Sequence, residues 1–324
     1  MYHYTPPPRR SGGGGALLWV VLALGFVSAV IVGGVVLMSL VATVEPGSPH
    51  GTSVASGGPT TGPPSTSGGS GAGSGGSASG APTGASAATS SRLYRVGSVS
   101  GFGCTGRRIA PGSGVSFEAF LNSTTDCLDR TWSTAFDQAG MPYEEPQRVF
   151  WSTPGRSPCG DYPAPGVAAF YCSINNAMYI GVNGHAQRSA GNLPVIYNVA
   201  YARNLAHEYG HHVQEVSGIL GYSREERMAA ESIEERNAIT RRSELQAQCF
   251  AGVFMSAVRP TFPVTNGQWN VALRDSFARG DDQRAPDERD HGSNAHYAGW
   301  LDRGFGRGRP GACNTWTAPA SLVS

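Results

Sequence analysis

His207-Glu208-Tyr209-Gly210-His211 lies inside a stretch in which Val199, Ala202, Ala206, Tyr209, Val213, Val216 and Leu220 recur every three or four residues. That spacing predicts a helix from Tyr197 to about Gly218 with one buried stripe, and Gly218 and Gly221 are expected to stop it. Residues four apart on a helix lie one above the other, so His207 and His211 face a single locus and can share a tetrahedral Zn²⁺. Glu208 sits one step around the helix, beside the position such a metal leaves open, where a carboxylate serves as general base. Gly210 removes a side chain between the histidines and the buried face, which lets another element approach closely. The competing reading is a surface helix whose histidines are merely hydrogen-bonded.

A catalytic zinc needs a third protein ligand. Glu244 is the best candidate, in Ser243-Glu244-Leu245-Gln246-Ala247-Gln248-Cys249-Phe250. The chain from Arg224 to about Val258 is expected to be one helix, charged at first, apolar from Leu245 and ended by Pro260. Glu244 and Gln248 share a face of it. The alternative for Glu244 is an ion pair with Arg241 or Arg242, while Glu231, Glu234 and Glu235 read as a solvated face. Asn270 to Arg279 is a third, shorter helix. Val149 to Ser152 is a strand candidate. Ala168–Cys172 and Ala177–Val182 flank a turn at Ser173–Asn176 and predict a hairpin. Of these strands, Ala177–Val182 is the one expected to pair with extended substrate.

The rest of the chain says where this domain works. Residues 16–44 are apolar and uncharged, long enough to span a hydrocarbon core of about 30 Å and about twice the length of a signal-peptide core. Arg9 and Arg10 precede that run and nothing basic follows until Arg92, which predicts a cytoplasmic N-terminus and an extracytoplasmic remainder. Residues 1–15 read as a disordered cytoplasmic tail. Residues 45–91 are rich in Gly, Ser, Thr, Pro and Ala and read as a flexible linker. The folded domain is expected over 92–316, with a tail at 317–324. Six cysteines, all beyond the apolar run, allow 15 pairings. Pairing of neighbours is the expectation: Cys104–Cys127, Cys159–Cys172 and Cys249–Cys313.

Composition excludes several functions. All 24 basic residues are Arg and the net charge is +1, so lysine-dependent chemistry is absent and no basic surface recruits nucleic acid. No G-x-S-x-G motif supports a serine hydrolase.

His-Glu-Tyr-Gly-His-His-Val-Gln at 207–214, followed by Glu-Leu-Gln-Ala-Gln-Cys-Phe-Ala-Gly-Val-Phe at 244–254, resembles the bacterial neutral zinc metallopeptidase family. Phe170-Tyr171-Cys172 with Tyr179, Gly280-Asp281-Asp282, His291-Gly292-Ser293-Asn294-Ala295 and Cys313-Asn314-Thr315 extend the likeness over about 92–316. The resemblance implies an α+β, zincin-like metallopeptidase domain in which the active-site helix packs on a second ligand-bearing helix and a small β-sheet. It implies one Zn²⁺ per chain held by His207, His211 and Glu244, with Glu208 as catalytic base. It also puts His291 near the site, as a donor to the oxyanion, with His296 as the rival. One departure stands out: the family usually has Asp where this chain has Gln248. The resemblance implies a peptidase acting on peptides or proteins; joined to the apolar run at 16–44, which lies outside the resemblance, it gives the expectation of a membrane-anchored, extracytoplasmic enzyme. The alternatives are a catalytically degenerate surface binding module and a zinc hydrolase of cell-wall peptides.

Overall fold

The computed structural model describes residues 83–99, 103–110, 112–163, 169–182, 198–262 and 264–324. The expected cytoplasmic tail, the membrane span at 16–44 and nearly all of the linker lie outside these residues. No helix among the described residues is long and apolar enough to cross a membrane.

In chain order the elements are α1 (Ala85–Thr89), α2 (Gly114–Ala139), β1 (Gln147–Trp151), β2 (Gly155–Ser157), β3 (Gly160–Tyr162), β4 (Ala169–Cys172), β5 (Ala177–Gly181), α3 (Asn198–Val216), α4 (Ile219–Ala229), α5 (Ile233–Val258), α6 (Asn266–Phe277) and α7 (Asn294–Arg307). The domain is thus a mixed helical fold with a small sheet.

Helix α3 buries the predicted stripe: Val199, Ala202, Ala206, Tyr209 and Val213 are almost wholly inaccessible. Leu220 falls outside it. The chain turns at Gly218, whose φ of 79° suits glycine, and Gly221 lies within α4 rather than ending α3. The single helix expected from Arg224 to Val258 is two helices. Ser232 starts α5 by accepting from the Glu235 N–H, while the Glu235 side chain returns to the Ser232 backbone. This Ser-x-x-Glu capping box satisfies N–H groups that a helix start leaves open, and it marks a break within the charged run. Helix α6 begins at Asn266, ahead of the expected Asn270, because Thr265 and Gln268 form a second capping box.

Helices α3 and α5 meet at Gly210, where a Cβ would lie 2.8 Å from both the Cα and the carbonyl oxygen of Ala247. Only glycine permits that approach, as its position on the helix suggested. Helix α7 seats on the other side of α5 by the same device. A Cβ at Gly304 would collide with the Cys249 carbonyl, and one at Gly252 with the Leu301 carbonyl.

Helices α2 and α7 were not anticipated from periodicity. Helix α2 is capped by Ser113 and ended by left-handed Gly140. It contributes Phe117, Phe120, Leu128, Trp132 and Phe136 to the main core. The domain also extends beyond 92–316 at both ends. Ala87 and Ala88 of α1, in the expected linker, are fully buried. The expected tail packs on α7, where Trp300 Nε1 donates to the Leu322 carbonyl at 2.8 Å and the Ser293 N–H to the Ser324 carbonyl at 3.0 Å.

The three-stranded sheet has the order β1-β5-β4, with β5 parallel to β1 and antiparallel to β4. The hairpin turns through Asn176 at φ 49°. Its register pairs Phe170 with Tyr179, whose rings stack with centroids 4.8 Å apart. Strand β5 is therefore central. Its backbone groups are committed on both sides, so the expectation that Ala177–Val182 pairs with substrate fails, and among the described residues β1 and β4 are the edges. The three disulfides join neighbours as expected: Cys104–Cys127, Cys159–Cys172 and Cys249–Cys313.

Candidate metal centre

Helix α3 presents His207 and His211 one turn apart, and α5, held close by the Gly210 contact, brings Glu244 to them. Glu244 Oε2 lies 3.2 Å from His207 Nε2 and 3.5 Å from His211 Nε2. Ligands about 2.1 Å from a tetrahedral zinc stand about 3.4 Å apart, so the spacing fits. One atom from each of the three residues lies within 4.8 Å of the others. Two imidazole nitrogens and a carboxylate oxygen are a donor set zinc accepts. Glu244 is not used by its basic neighbours. Arg241 donates to the carbonyls of Arg289 and Val323, and Arg242 to those of Thr315 and Ala318.

A metal-binding imidazole needs its other nitrogen engaged, and both are. His211 Nδ1 lies 3.0 Å from Gln214 Oε1, and Gln214 Nε2 donates to the Ser243 carbonyl at 2.8 Å. Because a carbonyl only accepts, that bond sets the amide orientation. Gln214 Oε1 therefore accepts from Nδ1–H of His211 and turns Nε2 towards Glu244, the nitrogen whose lone pair a metal would take once its proton is lost. Gln246 braces Gln214 by accepting from its Nε2 at 2.9 Å while donating to Tyr94 Oη at 2.7 Å and to the Cys313 carbonyl at 3.0 Å. His207 Nδ1 has the matching partner, Gln248 Oε1 at 3.0 Å, and Gln248 Nε2 is 3.1 Å from Ser276 Oγ. The residue noted as a departure thus occupies the orienting position, with a neutral carbonyl in place of a carboxylate.

The electrostatics suit a cation. Burial lowers the His207 pKa. Burial also pushes His211 down, but the facing Glu244 carboxylate outweighs it and holds His211 up to about 9. Glu244 is itself held well below the usual carboxylate range, because His211 and His291 outweigh its own burial.

Glu208 lines the same cleft, which has a volume of about 320 Å³. His291 lines it too, with Nε2 3.8 Å from Glu244 Oε2 and Nδ1 2.6 Å from Asp290 Oδ1. Its loop is pinned by buried Asp281, whose Oδ2 accepts from the N–H groups of His291 and Gly292. The rival, His296, is turned elsewhere: its Nδ1 meets Ser293 Oγ at 2.9 Å and the Ser324 carbonyl at 2.6 Å. On the far side of α3, the Tyr209 hydroxyl donates to buried Asp129 of α2 at 2.5 Å, and Arg148 of β1 pairs with the same carboxylate. Ser276 and Asp129 had not been singled out, and Gln214 and Asp281 had been quoted only within motifs, without a role. Gln214 alone carried a local signal, three residues beyond His211.

A mixed helical domain with a small sheet that folds H-E-x-x-H against a glutamate of a neighbouring helix is consistent with the zincin-like class. The family described as "Putative neutral zinc metallopeptidase" matches residues 108–316, and the chain belongs to it. It is similar to "Uncharacterized protein YpfJ" of Escherichia coli K12, at 30% identity over 220 residues, covering 65% of this chain and 75% of that one. It is also similar to "Uncharacterized protein Rv2575" of Mycobacterium tuberculosis H37Rv, at 28% identity over 220 residues, covering 60% and 69%. No solved structure matches the chain.

Proposed function

We propose that this chain is a zinc peptidase that hydrolyses peptide bonds outside the cytoplasm, tethered to the membrane through residues 16–44. The observation that carries the enzymatic reading is the convergence of His207, His211 and Glu244 at 3.2 and 3.5 Å with Glu208 in the same cleft. In this reading the three residues hold one Zn²⁺ per chain. When bound, that ion supplies Lewis acidity, which polarises a carbonyl and acidifies a water. Glu208 takes the proton from the attacking water and passes it to the leaving amine. His291, aimed into the cleft and backed by Asp290, donates to the oxyanion. Extended substrate adds to the outer edge of β4, which no described strand covers, since Ala169, Phe170 and Tyr171 line the cleft beside the histidines.

The test is metal content of the purified full-length chain beside Glu244→Ala. About one zinc per chain, lost in the variant, supports the reading. Absence of zinc from the unmodified chain, even after zinc is supplied, overturns it in favour of a binding module.

A further inference from the structure

The cleft continues past the three donors between α4 and α5. Leu220, Ser223 and Arg227 line it from α4, and Thr240 and Ser243 from α5. The three- and four-residue spacings put each set on one helix face. Among the described residues that line the cleft, Arg227 is the only arginine. It is exposed, and among the described residues it has no ion pair or hydrogen bond. The other arginines of these two helices are engaged. Arg224 pairs with Glu215 at 2.6 Å, Arg236 donates to the Ala230 carbonyl at 3.3 Å, and Arg241 and Arg242 donate to backbone carbonyls.

Below Arg227, the buried hydroxyls of Ser223 and Ser243 lie 2.8 Å apart. One donates to the other, which leaves the pair one O–H for a further acceptor. The two carboxylates among the described lining residues, Glu208 and Glu244, lie at the candidate metal centre, where a bound divalent cation would offset their charge. A permanent cation and a spare hydroxyl donor therefore face a part of the cleft that, among the described residues, is lined by no carboxylate of its own.

We propose that this part of the cleft binds a carboxylate of the substrate, held by the Arg227 guanidinium and the spare O–H of the Ser223/Ser243 pair. The carboxylate is either an acidic side chain near the scissile bond or the free C-terminus of the chain being cut. This inference rests on the peptidase reading for what the ligand is, but it is testable by binding alone.

The experiment uses the zinc-loaded full-length chain carrying Glu208→Gln and hexapeptides acetyl-Ala-Ala-Ala-X-Ala-Ala, titrated calorimetrically. Three are compared: X as glutamate with an amide end, X as glutamine with an amide end, and X as glutamine with a free acid end. The expected result is about five- to tenfold tighter binding of an acidic peptide than of the neutral one, the scale of a partly exposed, hydrogen-bonded ion pair. Preference for the glutamate peptide assigns the side chain, and preference for the free acid assigns the terminus. Arg227→Gln removes the preference, Arg227→Lys keeps it, and Arg227→Glu transfers it to a peptide with arginine at X. Equal affinities, or no binding of any peptide at millimolar concentration, overturn the proposal. Cleavage by the protein with Glu208 intact is scored separately. Acid-selective binding without cleavage of any peptide overturns the peptidase reading and leaves the carboxylate site standing.

Discussion

Gln248 Oε1 lies 3.0 Å from His207 Nδ1, in mirror arrangement to Gln214 Oε1 at 3.0 Å from His211 Nδ1. Both imidazoles are oriented through Nδ1 by buried amides rather than by carboxylates. Gln248→Glu keeps the side-chain length, and the Ser276 hydroxyl can rotate to donate to the new carboxylate. Zinc affinity, measured by competition with a chromophoric chelator, is expected to rise. Gln248→Leu removes the acceptor and should weaken zinc by about 10–100-fold. Unchanged affinity in both variants would remove the orienting role.

Glu208→Gln keeps the shape of the side chain and removes its basicity. Peptide hydrolysis should fall to background while zinc content stays the same. Retained turnover in this variant would contradict the assignment of Glu208 as the base.

Protons compete with the metal. In the metal-free site His211 is held up to about 9 by Glu244 despite its burial, so at pH 7 it carries a proton that zinc must displace. The folded-state pKa is raised, so the protonated form dominates below it and is lost as pH rises through about 9. Apparent zinc affinity should therefore climb between pH 7 and 9. Calorimetry in buffers of differing ionisation enthalpy should record about one proton released per zinc at pH 7.5. No proton release at that pH would refute the coupling.

Gly210→Ala places a methyl 2.8 Å from the Ala247 backbone. Backbone cannot swing aside as a side chain can, so α3 and α5 must separate. Overpacking of this kind costs about 1–3 kcal/mol. A lowered Tm together with weakened zinc binding is expected, since the same movement draws Glu244 away from both histidines. A variant as stable as the parent would show that the helices yield more easily than this contact suggests.

What the sequence alone could determine was local. Two histidines four residues apart inside an apolar stripe share a helix face wherever that helix lies, because the 3.6-residue repeat is a property of the backbone. The hairpin around Asn176 and the close approach at Gly210 were legible for the same reason. Local signals could also be passed over: the Ser232/Glu235 box stood in the sequence, yet charge patterning carried the expected helix across it.

Tertiary structure decided what depends on residues far apart in the chain. Periodicity cannot say that β1 pairs in parallel with β5 and makes β5 the central strand, because strand order follows from contacts across the chain. Arg241 and Arg242 were plausible partners for Glu244 at helix spacing, but carbonyls of the C-terminal segment claimed them. Residues 317–324 read as a tail until Trp300, Arg241 and Ser293 are seen to bind them. His291 and His296 are equivalent as residues, and only the Asp281-pinned loop and the turn into α7 send one into the cleft and the other to Ser324. Buried polar groups take whichever partners the packed chain brings within reach, and those partners lie tens to hundreds of residues away.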